Sequence, residues 1–163
     1  MGYRLFSTLA GLLLAASLAT PGATATPPNP FDQLTGDWKG GGRVILKDGQ
    51  PKKVSCQAAY KSAGSNVTQT LRCTGDDYEI NTTLKLAYKG GKIKGSWNES
   101  VYDASGTVTG TAKGDTVHAL IAGDKFSGRM SIKLHDADHT INIVKLNNKS
   151  GTYKLATSLT FKH

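Results

Sequence analysis

The sequence predicts an all-β fold: an up-and-down antiparallel meander of about ten strands closing into a barrel, after an N-terminal signal peptide. Two observations carry this. From Leu34 onward apolar and polar residues alternate with the period of two that a half-buried strand requires, and no stretch repeats at the helical period. Short runs rich in Val, Ile, Thr and Tyr are separated by turn pairs such as Asp48-Gly49, Gly64-Ser65, Gly90-Gly91 and Gly114-Asp115. A flat sheet of that many strands would leave two edges and one bare apolar face with no helix to cover it, so it must close. The chain has 163 residues, room for one domain.

The N-terminal segment is read separately. Arg4, the apolar run from Leu9 to Leu18 and the small-x-small triplet Ala23-Thr24-Ala25 are the parts of an export signal, with cleavage expected after Ala25. This divides the chain into a signal peptide (1–25), a proline-stiffened extended leader (26–33) and a barrel domain (34–163). The expected location is periplasmic or secreted. The apolar run is too short for a stable span, so no integral membrane segment is expected, and the protein is expected to be a monomer.

The first strand places Trp38, Gly40, Gly42 and Val44 on one face and Lys39 and Arg43 on the other. The second turns Val54, Cys56, Ala58 and Tyr60 inward. A two-residue turn at Gly64-Ser65 then sets Cys56 opposite Cys73, and facing cysteines in an exported protein predict a structural disulfide. A turn at Gly90-Gly91 pairs Leu84 with Trp97, Thr82 with Glu99 and Ile80 with Val101. A turn at Ala104-Ser105 pairs Trp97 with Ala112 and Val101 with Val108, and one at Gly114-Asp115 pairs Ala112 with Val117. A turn at Gly123-Asp124 pairs Ile121 with Phe126 and Val117 with Met130. Across Ala137-Asp138, Ile132 and Leu134 face Ile143 and Ile141. In the last hairpin the inward set switches to Val144 and Leu146, opposite Tyr153 and Leu155, which requires a bulge near Val144. Lys85, Lys92, Lys94, Arg129, Lys133 and Lys154 face outward, the reverse of a membrane barrel.

The run Leu34-Thr35-Gly36-Asp37-Trp38-Lys39-Gly40-Gly41-Gly42 resembles the G-x-W opening strand of calycins, the superfamily of lipocalins, fatty-acid-binding proteins and avidins. Its longer form, Gly36, Trp38, Gly40 and Gly42, is similar to the opening of nitrobindin-like haem-binding barrels. The chain also resembles a type of small secreted alphaproteobacterial protein. The calycin resemblance covers the first strand and the topology. It implies that Trp38 closes one barrel end by packing over it, and the nitrobindin form makes His163 the candidate haem-iron ligand. The chain has no helix-turn-helix lid after the first strand, and an export signal and cross-strand cysteines do not belong to nitrobindins.

The interior decides between carrier and scaffold. Small inward residues such as Gly95, Gly110, Ala112, Ala119 and Gly128 either leave room for a guest or let a sharply coiled sheet close. Trp97 is either core filling or a ligand wall. Glu99 is an inward carboxylate which, with Tyr60 and Tyr78, either forms a polar spot in an apolar pocket or is solvated through a slip in register. The candidate ligand-binding set is Trp97, Glu99, Tyr60, Tyr78, Tyr88, Phe126 and Met130. His135-Asp136-Ala137-Asp138-His139 groups metal-ligating types, but its place on a hairpin tip accounts for them as turn residues.

No nucleophile elbow, phosphate loop or zinc motif is present, so no catalytic residue, metal or cofactor is assigned and the protein is not expected to be an enzyme. The expected function is an exported calycin-like binding protein for a small apolar or amphipathic ligand. A formal charge of +8 supports an alternative, a basic module for an anionic envelope polymer or lipopolysaccharide. A further alternative is an enzyme inhibitor. The sequons at Asn66, Asn81, Asn98 and Asn148 matter only in a eukaryotic secretory pathway.

Overall fold

The computed structural model describes residues 28–45, 49–147 and 150–163. The signal peptide, the start of the leader, the first turn at 46–48 and the Asn148 sequon lie outside the described residues. A single 3₁₀ turn (Asp32–Leu34) precedes ten strands: β1 (Gly36–Ile45), β2 (Pro51–Ala63), β3 (Asn66–Thr74), β4 (Glu79–Lys89), β5 (Lys92–Glu99), β6 (Ala104–Lys113), β7 (Thr116–Gly123), β8 (Gly128–Leu134), β9 (Asp138–Asn147) and β10 (Thr152–Lys162). Each strand pairs antiparallel with the next, and β1 pairs with β10 to close the barrel.

Three hairpins have the register their tight turns dictate. Gly64, Gly90 and Gly114 adopt positive φ at the turns, as hairpin turns of two residues require. Cys56 then faces Cys73, Leu84 faces Trp97, and Ala112 faces Val117. Cys56 and Cys73 form a disulfide buried on the inner face of β2 and β3.

Three other hairpins differ from the sequence reading: the β5–β6 and β7–β8 turns are four residues long, and the β8–β9 turn, closed by the His135 N–H on the Asp138 carbonyl, lies at Asp136-Ala137, one residue before the expected pair. The β5–β6 turn spans residues 100–103, so Trp97 faces Gly106 instead of Ala112, and Val101 is 47% exposed on the turn instead of facing Val108. Residues 124–127 join β7 to β8, which pairs Val117 with Ile132 and Ile121 with Gly128 instead of with Met130 and Phe126. Residues 135–137 join β8 to β9, so Ile132 faces Ile141 and Leu134 faces His139. Each shift is an even number of residues. Across these three hairpins the inward and outward faces are therefore as the alternation predicts, while the neighbours are moved along the strand.

The last hairpin does contain a bulge, but on β10, between Leu155 and Thr157. Because β9 runs through without a bulge, Val144 and Leu146 stay on the outer face, opposite Leu155 and Tyr153 as the sequence pairs them. Leu155 is 48% exposed, and the Arg129 guanidinium lies 4.3 Å from the centroid of the Tyr153 ring on the outside. The intervening Lys154, expected outside, is exposed and lies opposite Lys145 at the rim.

The small inward residues serve closure. A Cβ at Gly40 would overlap the Thr160 carbonyl oxygen, and one at Gly106 the Ala122 carbonyl oxygen, so these strands approach too closely for any side chain there. The larger inward residues form one continuous core from Phe31 to Phe161.

Candidate functional site

The barrel has two unlike ends. The sealed end holds the starts of the odd-numbered strands, and the 3₁₀ turn lies across it. A turn from Asn29, whose side-chain oxygen accepts from the Phe31 N–H, drives Phe31 and Leu34 into the barrel at 1% and 2% exposure. Trp38 packs beneath them, and its indole N–H donates to the Leu34 carbonyl at 2.7 Å. His163 lies over Trp38 with ring centroids 4.3 Å apart, so the terminal residue packs on the outside of this plug.

Beneath Trp38 lies a buried polar chain. Gln69 Nε2 donates to the Tyr60 hydroxyl at 2.8 Å, and that hydroxyl is 2.9 Å from His139 Nε2. With Gln69 donating, Tyr60 has one proton to give, which places the neutral imidazole's own hydrogen on Nδ1. That nitrogen has no hydrogen-bond partner. His139 is fully buried, stacked on Phe161 at 5.0 Å and edge-on to Trp38 at 4.7 Å. Desolvation lowers its pKa to about 4, against a smaller opposing pull from Asp138. Burial likewise pushes the Tyr60 phenol far above its ordinary value.

The open end holds the ends of the odd-numbered strands. Here the lining is less completely covered: Trp97, Leu84 and Ile121 each keep 8% exposure, and Leu71, Ile80, Phe126 and Ile143 are only partly buried. Phe126 meets Trp97 edge-on at 6.3 Å. A cleft of about 490 Å³ opens beside Phe126, between the 123–127 turn and the ends of β9 and β10, and includes Lys145, Lys154 and Ala156. Among the described residues, the Trp97 indole N–H and the Tyr78 hydroxyl at this end are shielded donors without a partner. Desolvation raises the Tyr78 pKa, and the Asp77, Tyr102 and Asp76 side chains add to the shift.

Glu99 faces inward and is 7% exposed. Its carboxylate accepts from the backbone N–H groups of Asn81 at 2.8 Å, Val101 at 3.1 Å and Tyr102 at 2.6 Å. It therefore organises the 100–103 turn at the rim and does not project alone into an apolar pocket.

The candidate ligand set is divided by the fold. Trp97, Tyr78, Phe126 and Glu99 gather at the open end, and Met130 lines the middle opposite Ile143. Tyr60 and Tyr88 belong to the sealed end, where the Tyr88 hydroxyl donates to the Pro28 carbonyl at 3.3 Å. The His135–His139 group does not converge on one point, because His135 points out beside Asp138 at 4.0 Å while His139 turns into the core. Sequence reasoning missed His139 and Gln69 as interior polar residues. The correct β8–β9 register, with His139 opposite Leu134, would have found the histidine.

No protein-family model matches the chain, and no curated protein matches it. Solved structures do share its fold. The crystal structure of Rv2717c from M. tuberculosis superposes with a TM-score of 0.67 at 11% identity, over 83% of this chain and 98% of that one. The S-type phycobiliprotein lyase CPES from Guillardia theta gives a TM-score of 0.54 at 16% identity, over 81% and 88% of the two chains. These likenesses show a shared β-barrel fold.

Proposed function

We propose that this protein is an exported binding barrel, periplasmic or secreted, that takes a small apolar or amphipathic ligand through its open end and performs no chemistry on it. The observation that carries this reading is the partnerless Trp97 N–H, 92% buried by residue exposure, at the end where the apolar lining is least covered. A buried donor without an acceptor costs about 1–3 kcal/mol. An apolar body against Phe126 and Ile143, with an acceptor atom on Trp97 or Tyr78, would satisfy both features at once. Export is supported by the buried disulfide, a bond that persists in oxidising compartments.

Thermal shift with a panel of fatty acids, long-chain alcohols and aromatic amphiphiles tests the reading. A true ligand at a hundred times its Kd adds about 2.7 kcal/mol to stability. Trp97→Phe keeps an aromatic side chain but removes the donor, so it should lower affinity for oxygen-bearing ligands about tenfold more than for a plain alkane. No shift with any member of the panel would defeat the reading. Recovery of the protein from a periplasmic or culture fraction, with its N-terminus near Thr26, tests export.

A further inference from the structure

We propose that Lys145 and Lys154 form an anion-recognition site at the open end, which selects amphiphiles carrying a carboxylate or phosphate head. This assignment rests on the binding function proposed above and names its ligand class. Lys145 continues the inward series Ile141 and Ile143 on β9 and sits between Gly128 of β8 and Lys154 of β10, directly opposite both. Lys154 shares that face because Tyr153, beside it, is fixed on the outside under Arg129. The two lysines, both exposed, are thus directly opposite across one strand pair and both line the cleft.

Like charges directly opposite in a sheet are destabilising. Elsewhere the lysines with close carboxylates have a structural reason for their position: Lys52 pairs with Asp77, Lys125 with Asp103 and Lys133 with Asp115. Among the described residues, neither Lys145 nor Lys154 has a carboxylate within ion-pair distance, although Asp124 also lines the cleft. The one close partner of Lys145 is the Phe126 ring, 5.9 Å from Nζ to the centroid, and that ring leads to Trp97. An anionic head between the two ammonium groups would relieve their repulsion. It would also leave its alkyl chain on Phe126, pointing toward the partly covered lining around Trp97 and Ile143.

Fluorescence titration with dodecanoate, dodecyl phosphate, dodecanol and dodecyltrimethylammonium tests this on the intact exported protein. Dodecanoate and dodecyl phosphate should bind more tightly than dodecanol, and the cation should bind most weakly. High salt should weaken the two anions selectively. The double variant Lys145→Gln/Lys154→Gln should lose about tenfold for the anions, keep its affinity for dodecanol, and melt in the free state at the same temperature as wild type or higher. Lys145→Arg/Lys154→Arg should retain anion binding. The tighter of the two anions identifies the head group. Equal binding of dodecanol and dodecanoate to wild type would overturn the site while leaving the binding barrel intact, as would a double variant with unaltered anion affinity. A fall in free-state melting temperature with equal loss for every amphiphile would make the lysines structural and overturn the proposal. Failure of all four amphiphiles would defeat the binding function itself.

Discussion

The sealed and open ends are built from the same hairpins and the same alternating pattern, yet they differ in how they treat polar groups, although His139 Nδ1 at the sealed end also lacks a partner among the described residues and Glu99 at the open end is well partnered. At the sealed end the indole N–H of Trp38 is spent on the Leu34 carbonyl, and Tyr60 is held between Gln69 and His139. At the open end the indole N–H of Trp97 and the hydroxyl of Tyr78 have no partner, and two lysines face each other. Internal satisfaction serves stability, whereas on the proposed function the unspent donors and unrelieved charge at a partly covered lining would serve recognition.

The largest expected contrast lies between the two tryptophans. Trp38→Ala removes the plug on which Leu34, His139 and His163 rest and should cost about 3–5 kcal/mol. Trp97→Ala, beside a lining that is already less covered, should cost less. Urea unfolding of both variants measures the difference, and equal losses would erase the distinction between the ends.

The sealed end should also impose a pH dependence. A histidine with its folded pKa near 4 and an ordinary unfolded value of 6.5 is bound to more protons when unfolded between those limits. Its contribution is therefore complete above pH 6.5, falls as the pH drops toward 4, and is lost below that, a change of roughly 3 kcal/mol. His139→Phe should flatten this segment of the stability curve, read by chemical denaturation across the range. An unchanged slope would contradict a neutral, desolvated His139.

Reduction of Cys56–Cys73, which are separated by 17 residues, should cost about 3 kcal/mol on the chain-entropy account. It should leave the relative affinities of amphiphiles untouched, since neither cysteine lines the lysine cleft. A smaller loss is expected from Glu99→Gln, about 2 kcal/mol, because an amide cannot accept as strongly from three backbone N–H groups. Proteolysis in the 100–103 turn should rise in that variant. A gain in stability would show that the carboxylate is strained rather than satisfied.

The face of nearly every strand was legible in the sequence, because alternation survives any register error of an even number of residues. Partners were legible where a glycine fixed a two-residue turn, as at Gly64, Gly90 and Gly114, and for the Val144–Leu155 and Leu146–Tyr153 pairs of the last hairpin. At residues 100–103 and 124–127 the turns are longer than two residues, the first gathered by Glu99 on the N–H groups of Asn81, Val101 and Tyr102, and at 135–137 no glycine marks where the tight turn falls. His139 was lost with the last of these. The side exchange at Lys154 was hidden because the sequence signals a bulge in the last hairpin without indicating which strand carries it. Placing it on β9 would have buried Val144 and Leu146, whereas placing it on β10 leaves them outside and turns Lys154 toward the cleft. The gathering of Trp97, Tyr78 and Phe126 at one end followed from strand direction, while Tyr60 and Tyr88 were inward residues of the opposite end.

Paired single-tryptophan proteins test the asymmetry most directly. Trp38→Phe leaves Trp97 as the only indole, and Trp97→Phe leaves Trp38. Titration with a dodecanoate brominated along its chain should quench Trp97 strongly and saturably while leaving Trp38 emission nearly constant. Stronger quenching of Trp38, or equal quenching of both, would contradict a ligand seated at the open end.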